Sequence, residues 1–172
     1  MYKNYIRQYE LLHEQKPHYG MTSIKFCSDI IDIIKNRNFN DVLDYGCGKS
    51  ELLDNVKKKI NIEIYKYDPA IKEYSELPSN HVDFVICTDV LQHIPIYDLD
   101  RVLKEIKGYS NNCFFHIRCT PYHTRLPNGQ FANCTVFQSD WWMKKLSQYF
   151  SEIKLVSTND IDTVTFLTGK CI

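Results

Sequence analysis

From Asp41 onward the sequence alternates short apolar runs with amphipathic ones, and few folds are compatible with that alternation. Asp41–Tyr45, Ile62–Tyr67, Val82–Thr88 and Asn112–Arg118 are rich in Val, Ile, Phe and Tyr and read as strands. Glu51–Lys59 and Tyr97–Tyr109 read as helices, the second with Leu99, Val102, Leu103 and Ile106 on one stripe. Strands joined through helices form a mostly parallel sheet with helices on its faces, an α/β fold. A further helix, capped by Ser139 and running to Tyr149, precedes two last strands, Glu152–Ser157 and Asp162–Thr168. Too few residues separate those strands for a crossover, so one of them must run antiparallel. Two helices are expected before the alternation. The first lies in residues 1–15, with Tyr5, Tyr9 and Leu12 at helical spacing. The second runs from Thr22 or Ser23 to Arg37, with Ile24, Cys27, Ile30, Ile31 and Ile34 inward, and Lys16–Tyr19 between them reads as a turn around Pro17. A chain of 172 residues fits one domain, 1–172, with 1–37 as N-terminal helices or lid and 38–172 as core.

Composition narrows the partners. Lys plus Arg and Asp plus Glu number 21 each, and zero net charge argues against a nucleic-acid binder. No run is long enough to cross a bilayer and no signal-like segment opens the sequence, so the expected location is cytoplasmic. The seven cysteines form no CxxC pair and read as free, mostly buried thiols. Cys113, His116, Cys119 and His123 loosely resemble a zinc set, but strand alternation sends Cys113 and His116 to opposite faces, so no metal site is expected.

Ligands of a parallel sheet bind beyond the carboxyl ends of its strands. Three polar exits meet there. The first strand leaves through Asp44-Tyr45-Gly46-Cys47-Gly48, where two glycines permit close approach and unusual backbone angles. A single residue between the glycines makes Lys49-Ser50 a poor phosphate loop. The second strand ends at Asp68, about twenty residues after the glycines, where an acid can accept bonds from both ribose hydroxyls. The third ends in "CTDVLQHIP", bringing Asp89 and His93 to the same edge.

With these stretches, "VLDYGCGKSELL", "YKYDPA" and "VDFVICTDVLQHIP", the chain resembles the class I S-adenosylmethionine-dependent methyltransferases. The resemblance implies a three-layer Rossmann-like fold and S-adenosyl-L-methionine as cofactor. Its amino-acid end would lie across Gly46 and Gly48, flanked by Tyr45 and Cys47, with Asp44 favouring the cationic amino group. Asp68 would hold the ribose, and Thr88, Asp89 and Val90 would line the methionine side. Two features depart from the pattern. Ser50 stands where a third glycine is usual, and only thirteen residues lie between Asp68 and Val82, too few for the usual helix and third strand. A sheet one strand short of seven is therefore expected, with Pro69, Ala70 and Leu77 as a substitute adenine pocket. The stretches "LLHEQKPHYG" and "LPNGQFANCTVFQSDWW" are similar to a small bacterial and phage-type group of these enzymes, and imply that Tyr19 and His13 belong to a lid over the cofactor.

On the acceptor side, His116 and His93 are the candidate general bases, His116 ranked first because its strand is rigid. His13, Arg118, His123, Arg125 and Trp141 are the candidate acceptor contacts, the arginines and His123 from the polar loop that also holds Asn133. Trp142 is assigned to the core. Neither an Asp/Asn-Pro-Pro-aromatic run nor a Pro-Cys pair is present, which argues against base methylation in DNA. The expected function is methyl transfer to an oxygen or nitrogen of a small-molecule or glycan acceptor. The alternatives are a nucleic-acid or protein methyltransferase and a non-catalytic cofactor-binding partner subunit; oligomeric state stays open.

Overall fold

The computed structural model describes residues 2–159 and 162–169. Eleven helices and strands follow in the order α1 (Tyr2–Gln15), α2 (Cys27–Arg37), β1 (Asp41–Tyr45), α3 (Leu52–Lys59), β2 (Glu63–Tyr67), β3 (Phe84–Thr88), α4 (Ile96–Tyr109), β4 (Cys113–Arg118), α5 (Ser139–Leu146), β5 (Lys154–Asn159) and β6 (Thr163–Leu167). The strands form one sheet in the order β2-β1-β3-β4-β6-β5. β1 to β4 are mutually parallel, and β6 runs antiparallel to both of its neighbours. The α/β class, the mostly parallel sheet and its antiparallel C-terminal strand therefore match the expectation.

The sheet separates two apolar layers because its side chains alternate in direction. Leu43, Val85, Cys87, Phe115 and Ile117 pack with Leu99, Leu103 and Ile106 of α4 and Trp142 and Leu146 of α5. Val42, Phe84, Ile86 and Phe114 pack with Ile30, Ile31 and Ile34 of α2 and Leu52, Leu53 and Val56 of α3. Trp142 is fully buried, as assigned, and anchors α5; truncating it to Ala would cost about 3–5 kcal/mol. Asn38 ends α2 in the left-handed conformation (φ 53°), and the Phe39 amide closes the cap on the Ile34 carbonyl (3.1 Å).

Some boundaries move. Thr22–Phe26 is a 3-10 turn rather than α-helix, and its tighter winding takes Ile24 off the inward stripe, leaving it 48% exposed. Ser139 does not cap α5: Gln138 holds the cap position, without a side-chain bond. Of the expected 1–37 unit, α2 belongs to a sheet-covering layer, whereas α1 lies elsewhere. Leu12 packs with Leu126 and Ala132 of the loop after β4, with Tyr5, Tyr9 and Tyr19 around them. Six cysteines are free thiols, five buried and Cys134 exposed; Cys171 lies outside the described residues.

Residues 69–81 hold no strand, only a 3-10 turn at Lys72–Tyr74. The segment is tied back by bonds from the Asp68 amide to the Tyr74 carbonyl (2.8 Å) and from the Tyr109 hydroxyl to the Pro78 carbonyl (3.0 Å). β2 is thus the sheet's edge strand on that side. No described helix is long and apolar enough to cross a membrane.

Candidate active site

Strand order reverses between β1 and β3, and the carboxyl ends of β1 to β4 open there into a cavity of about 750 Å³. That volume suits a small ligand. The turn after β1 forms its floor. Gly46 and Gly48 both have left-handed backbone angles (φ 79° and 54°). A Cβ on Gly46 would come within 2.3 Å of Val90, and one on Gly48 within 2.6 Å of the Gly20 carbonyl oxygen. The glycines thus admit two other parts of the chain as well as any ligand. The amides of Gly46 and Cys47 both donate to the Tyr67 carbonyl (2.7 and 3.0 Å), which fixes the turn to the end of β2. Asp68 completes the rim: its carboxylate accepts the Gly48 amide (3.0 Å) and the Ala70 amide (2.9 Å). Burial raises its pKa against the pull of these bonds and of His13.

Tyr45, Gly46, Cys47, Gly48, Asp68 and Pro69 all line the cavity, as do Thr88, Asp89, Val90 and Tyr19. Ala70 lines it too, whereas Leu77 packs on the core. Asp44 does not reach it. Side-chain alternation turns Asp44 with Val42 toward the α2–α3 layer, and it is 1% exposed with neither carboxylate oxygen hydrogen-bonded. Desolvation raises its pKa to about 7; Lys66 opposes the rise and Asp68 adds to it. Ser50, at the departing third position, caps the start of α3 by accepting the Leu52 amide (3.1 Å) and bonds Ser23 (2.6 Å).

Both candidate bases line the cavity. His93 directs Nδ1 at the Ala132 carbonyl (3.0 Å), an acceptor only, so Nδ1 carries the proton and Nε2 has the lone pair. Burial lowers its pKa, with the Ala132 bond and Asp89 opposing. His116 pairs Nδ1 with the Thr165 hydroxyl (3.0 Å), and its Nε2 is buried without a hydrogen bond, 3.7 Å from Asp89. Asp89, at φ 58°, is held by the Thr22 hydroxyl (3.1 Å).

The roof is α1, the turn after it and the loop after β4. The Tyr9 hydroxyl donates to the Ala132 carbonyl (2.7 Å) and the Asn128 amide to Gln8 (2.9 Å). The Lys49 amide reaches the Gly20 carbonyl (3.0 Å), and the Lys49 ammonium the His13 carbonyl (2.8 Å). His13 and Arg118 line the cavity. His123, Arg125 and Trp141 fall outside its lining. His123 is exposed; Arg125 is turned to the Gly129 carbonyl (2.7 Å) and the Phe131 ring (4.0 Å) by a local hairpin. Trp141 stacks on Phe137 (4.0 Å) and meets Trp142 edge-on. Sequence reasoning missed Tyr9, Gly20, Lys25, Gln92 and Thr163 as cavity residues. Only Gln92 carried a signal, since it lies within the stretch "CTDVLQHIP" that leaves the third strand.

Comparison with known proteins gives the same architecture. The family profile of the methyltransferase domain matches residues 13–154. No curated protein sequence matches the chain. Among solved structures, an O-methyltransferase family protein from Burkholderia thailandensis superposes with a TM-score of 0.61 at 10% identity, over 85% of this chain and 57% of that one. The chain thus spans little more than half the length of that protein. The Burkholderia thailandensis 1,6-didemethyltoxoflavin-N1-methyltransferase, with 1,6-didemethyltoxoflavin and S-adenosylhomocysteine bound, gives 0.61 at 11% identity, over 96% and 88%. The methyltransferase domain of bacterial CtHen1-C gives 0.59 at 15% identity, over 86% and 99%.

Proposed function

The chain belongs to the methyltransferase-domain family, and on that premise we propose that it transfers a methyl group from S-adenosylmethionine to an oxygen or nitrogen of a small-molecule acceptor. The observation that carries this reading is Asp68, fixed by two backbone amides at the rim of a 750 Å³ cavity beside the Gly46–Gly48 turn. A carboxylate so placed has lone pairs left for both hydroxyls of a ribose. The residues also fit the other end of such a cofactor. Asp44 is buried below the cavity and does not line it, so it would act on such a cofactor only through its charge and through the Gly46–Gly48 turn that follows it. Pro69 and Ala70 offer an apolar wall for a purine, and Thr88, Asp89 and Val90 flank the methionine side.

S-adenosylmethionine, when bound, supplies a methyl group on a sulfonium that needs no further activation. The protein's task is to align the acceptor, exclude water and remove a proton where the acceptor is a hydroxyl. His93 suits the last task better than His116, reversing the order expected from sequence. Its Nδ1 is committed to Ala132, so its neutral Nε2 can take the acceptor proton, and burial keeps the ring neutral. The roof from α1 to Gly20 covers part of the cavity, which favours a small acceptor over a polymer.

Calorimetry with S-adenosylhomocysteine tests the reading. The natural chain binds it, and Asp68→Ala weakens binding roughly tenfold to a hundredfold, the loss of one charged hydrogen-bonding partner. Unchanged affinity in the variant would overturn the ribose assignment. No binding by the natural chain would overturn the whole reading.

A further inference from the structure

The cavity holds more positive charge than a methyl transfer requires. Lys49 and Lys66 do not line it and are committed elsewhere, to the His13 carbonyl and to Asp54. Lys25 and Arg118 are not. Both line the cavity, and among the described residues neither makes a hydrogen bond or a carboxylate pair. Arg118, the last residue of β4, is half-buried, and its guanidinium lies over the Tyr122 ring at 5.0 Å. Stacking fixes the plane of the fork and leaves its N–H edge free. Thr163 stands opposite Arg118 in the β4–β6 register and lines the same cavity, adding a hydroxyl donor. Lys25 stands at the mouth with its ammonium over Phe26 (4.8 Å), and the Phe26 ring touches His116 (4.7 Å). His116 lines the cavity with them, 5% exposed, its Nε2 without a hydrogen bond and 3.7 Å from the Asp89 carboxylate. The Asp89 carboxylate is engaged by Thr22 and faces His116.

We propose that the acceptor carries an anionic group, seated between Lys25, Arg118 and Thr163 beside His116. A half-buried guanidinium without a partner is a desolvation cost that a bound anion offsets. Burial depresses the pKa of His116 and Asp89 opposes it, with smaller depressions from Lys25 and Arg118, so both cations lie within electrostatic reach of that ring. Gln92, 2% exposed with Oε1 unpaired, and Asn133, 7% exposed with Nδ2 unpaired, offer an acceptor and a donor elsewhere on the same wall. They give the rest of the acceptor a polar contact and leave its charge to the arginine and lysine. Carboxylates and phosphate monoesters share the chemistry that this site recognises. The inference rests on the methyl-transfer reading, because it assigns this half of the cavity to the acceptor.

The test is calorimetry on the full chain saturated with S-adenosylhomocysteine, titrated with benzoate, phenyl phosphate and benzamide. The anions bind at millimolar concentration, and benzamide binds at least roughly tenfold more weakly. Tighter benzoate identifies a carboxylic acid; tighter phenyl phosphate identifies a phosphate monoester. Arg118→Gln lowers anion affinity roughly tenfold or more, Lys25→Gln lowers it less, and added salt weakens it. Retained S-adenosylhomocysteine affinity verifies that each variant is folded. Equal binding of benzamide, no anion binding, or anion affinity unchanged in both variants overturns the proposal. The natural chain's own S-adenosylhomocysteine titration separates that failure from a failure of the methyl-transfer reading.

Discussion

The floor of the cavity and its roof are held by different kinds of contact. On the floor, ladder hydrogen bonds join β1, β2, β3 and β4, and the Gly46–Gly48 turn is bonded to Tyr67 and Asp68. The roof rests on three buried side chains, Leu12, Leu126 and Ala132, and on isolated bonds such as Tyr9 to Ala132. Local opening free energy scales with buried apolar contact and backbone bonding, so the roof opens far more readily than the floor. The division suits the proposed chemistry. A cofactor shared by many reactions sits on a rigid edge, and the acceptor is chosen by a looser wall that can part to admit it.

His93 stands at the junction, on the floor's edge but bonded to the roof through Ala132, so its variant gives the largest effect. His93→Gln lowers turnover of a hydroxyl acceptor about a hundredfold or more and leaves S-adenosylhomocysteine affinity unchanged. Before an acceptor is in hand, NMR titration of the ring gives its midpoint below the ordinary histidine value of 6.5, because burial disfavours the cation. The acid limb of the rate profile moves to lower pH accordingly. A midpoint at or above 6.5 would return the role of base to His116.

Asp44→Asn comes next and isolates the floor. Affinity for S-adenosylhomocysteine changes less than roughly tenfold, because Asp44 does not line the cavity, while the cofactor-free protein gains about 1–3 kcal/mol at pH 8. The sign follows from linkage. The folded-state pKa of Asp44, about 7, lies above its ordinary value of 3.8, so the folded protein holds the proton more tightly. Its stabilising share is complete below pH 3.8 and is lost as pH rises through 7. The asparagine variant lacks that loss, and melting curves at pH 5 and pH 8 differ less than those of the natural chain. Equal pH dependence would mean that Asp44 has a partner in solution.

Tyr9→Phe probes the roof alone and has the smallest effect. Removing one hydroxyl bond costs about 1 kcal/mol and speeds amide exchange in α1, with exchange in β1 and β3 unchanged. Faster exchange in both regions would make floor and roof one cooperative unit.

The same division governs what could be read from sequence. The floor is local: a strand, two glycines and an acid at the next strand's tip are contiguous signals, and Gly46, Gly48, Asp68, Thr88 and Asp89 line the cavity that the alternation implied. Asp44 misled because its neighbour is Tyr45: one step along a strand reverses the face. The roof is made by contacts distant in sequence. Tyr9 and Ala132 are 123 residues apart, and nothing near Tyr9 announces the meeting. Arg125 and Arg118 were both candidates as cations of one polar stretch, but a local turn gave Arg125 a carbonyl partner and took it away from the cavity. Strand pairing set Thr163 beside Arg118, and no spacing rule reaches that far.

Gly20 and Gly48, one on the roof and one on the floor, meet backbone to backbone. A methyl group at position 48 would strike the Gly20 carbonyl oxygen, an atom that every amino acid carries. A methyl group at position 20 would meet His13 at 3.0 Å and the Cα of Gly48 at 3.3 Å, and both positions have left-handed backbone angles. Shrinking either residue to make room for the other is impossible, since each is already the smallest. Pairs of large side chains can exchange bulk as a lineage diverges, but this pair has no bulk to exchange, so descent with modification must route around both positions.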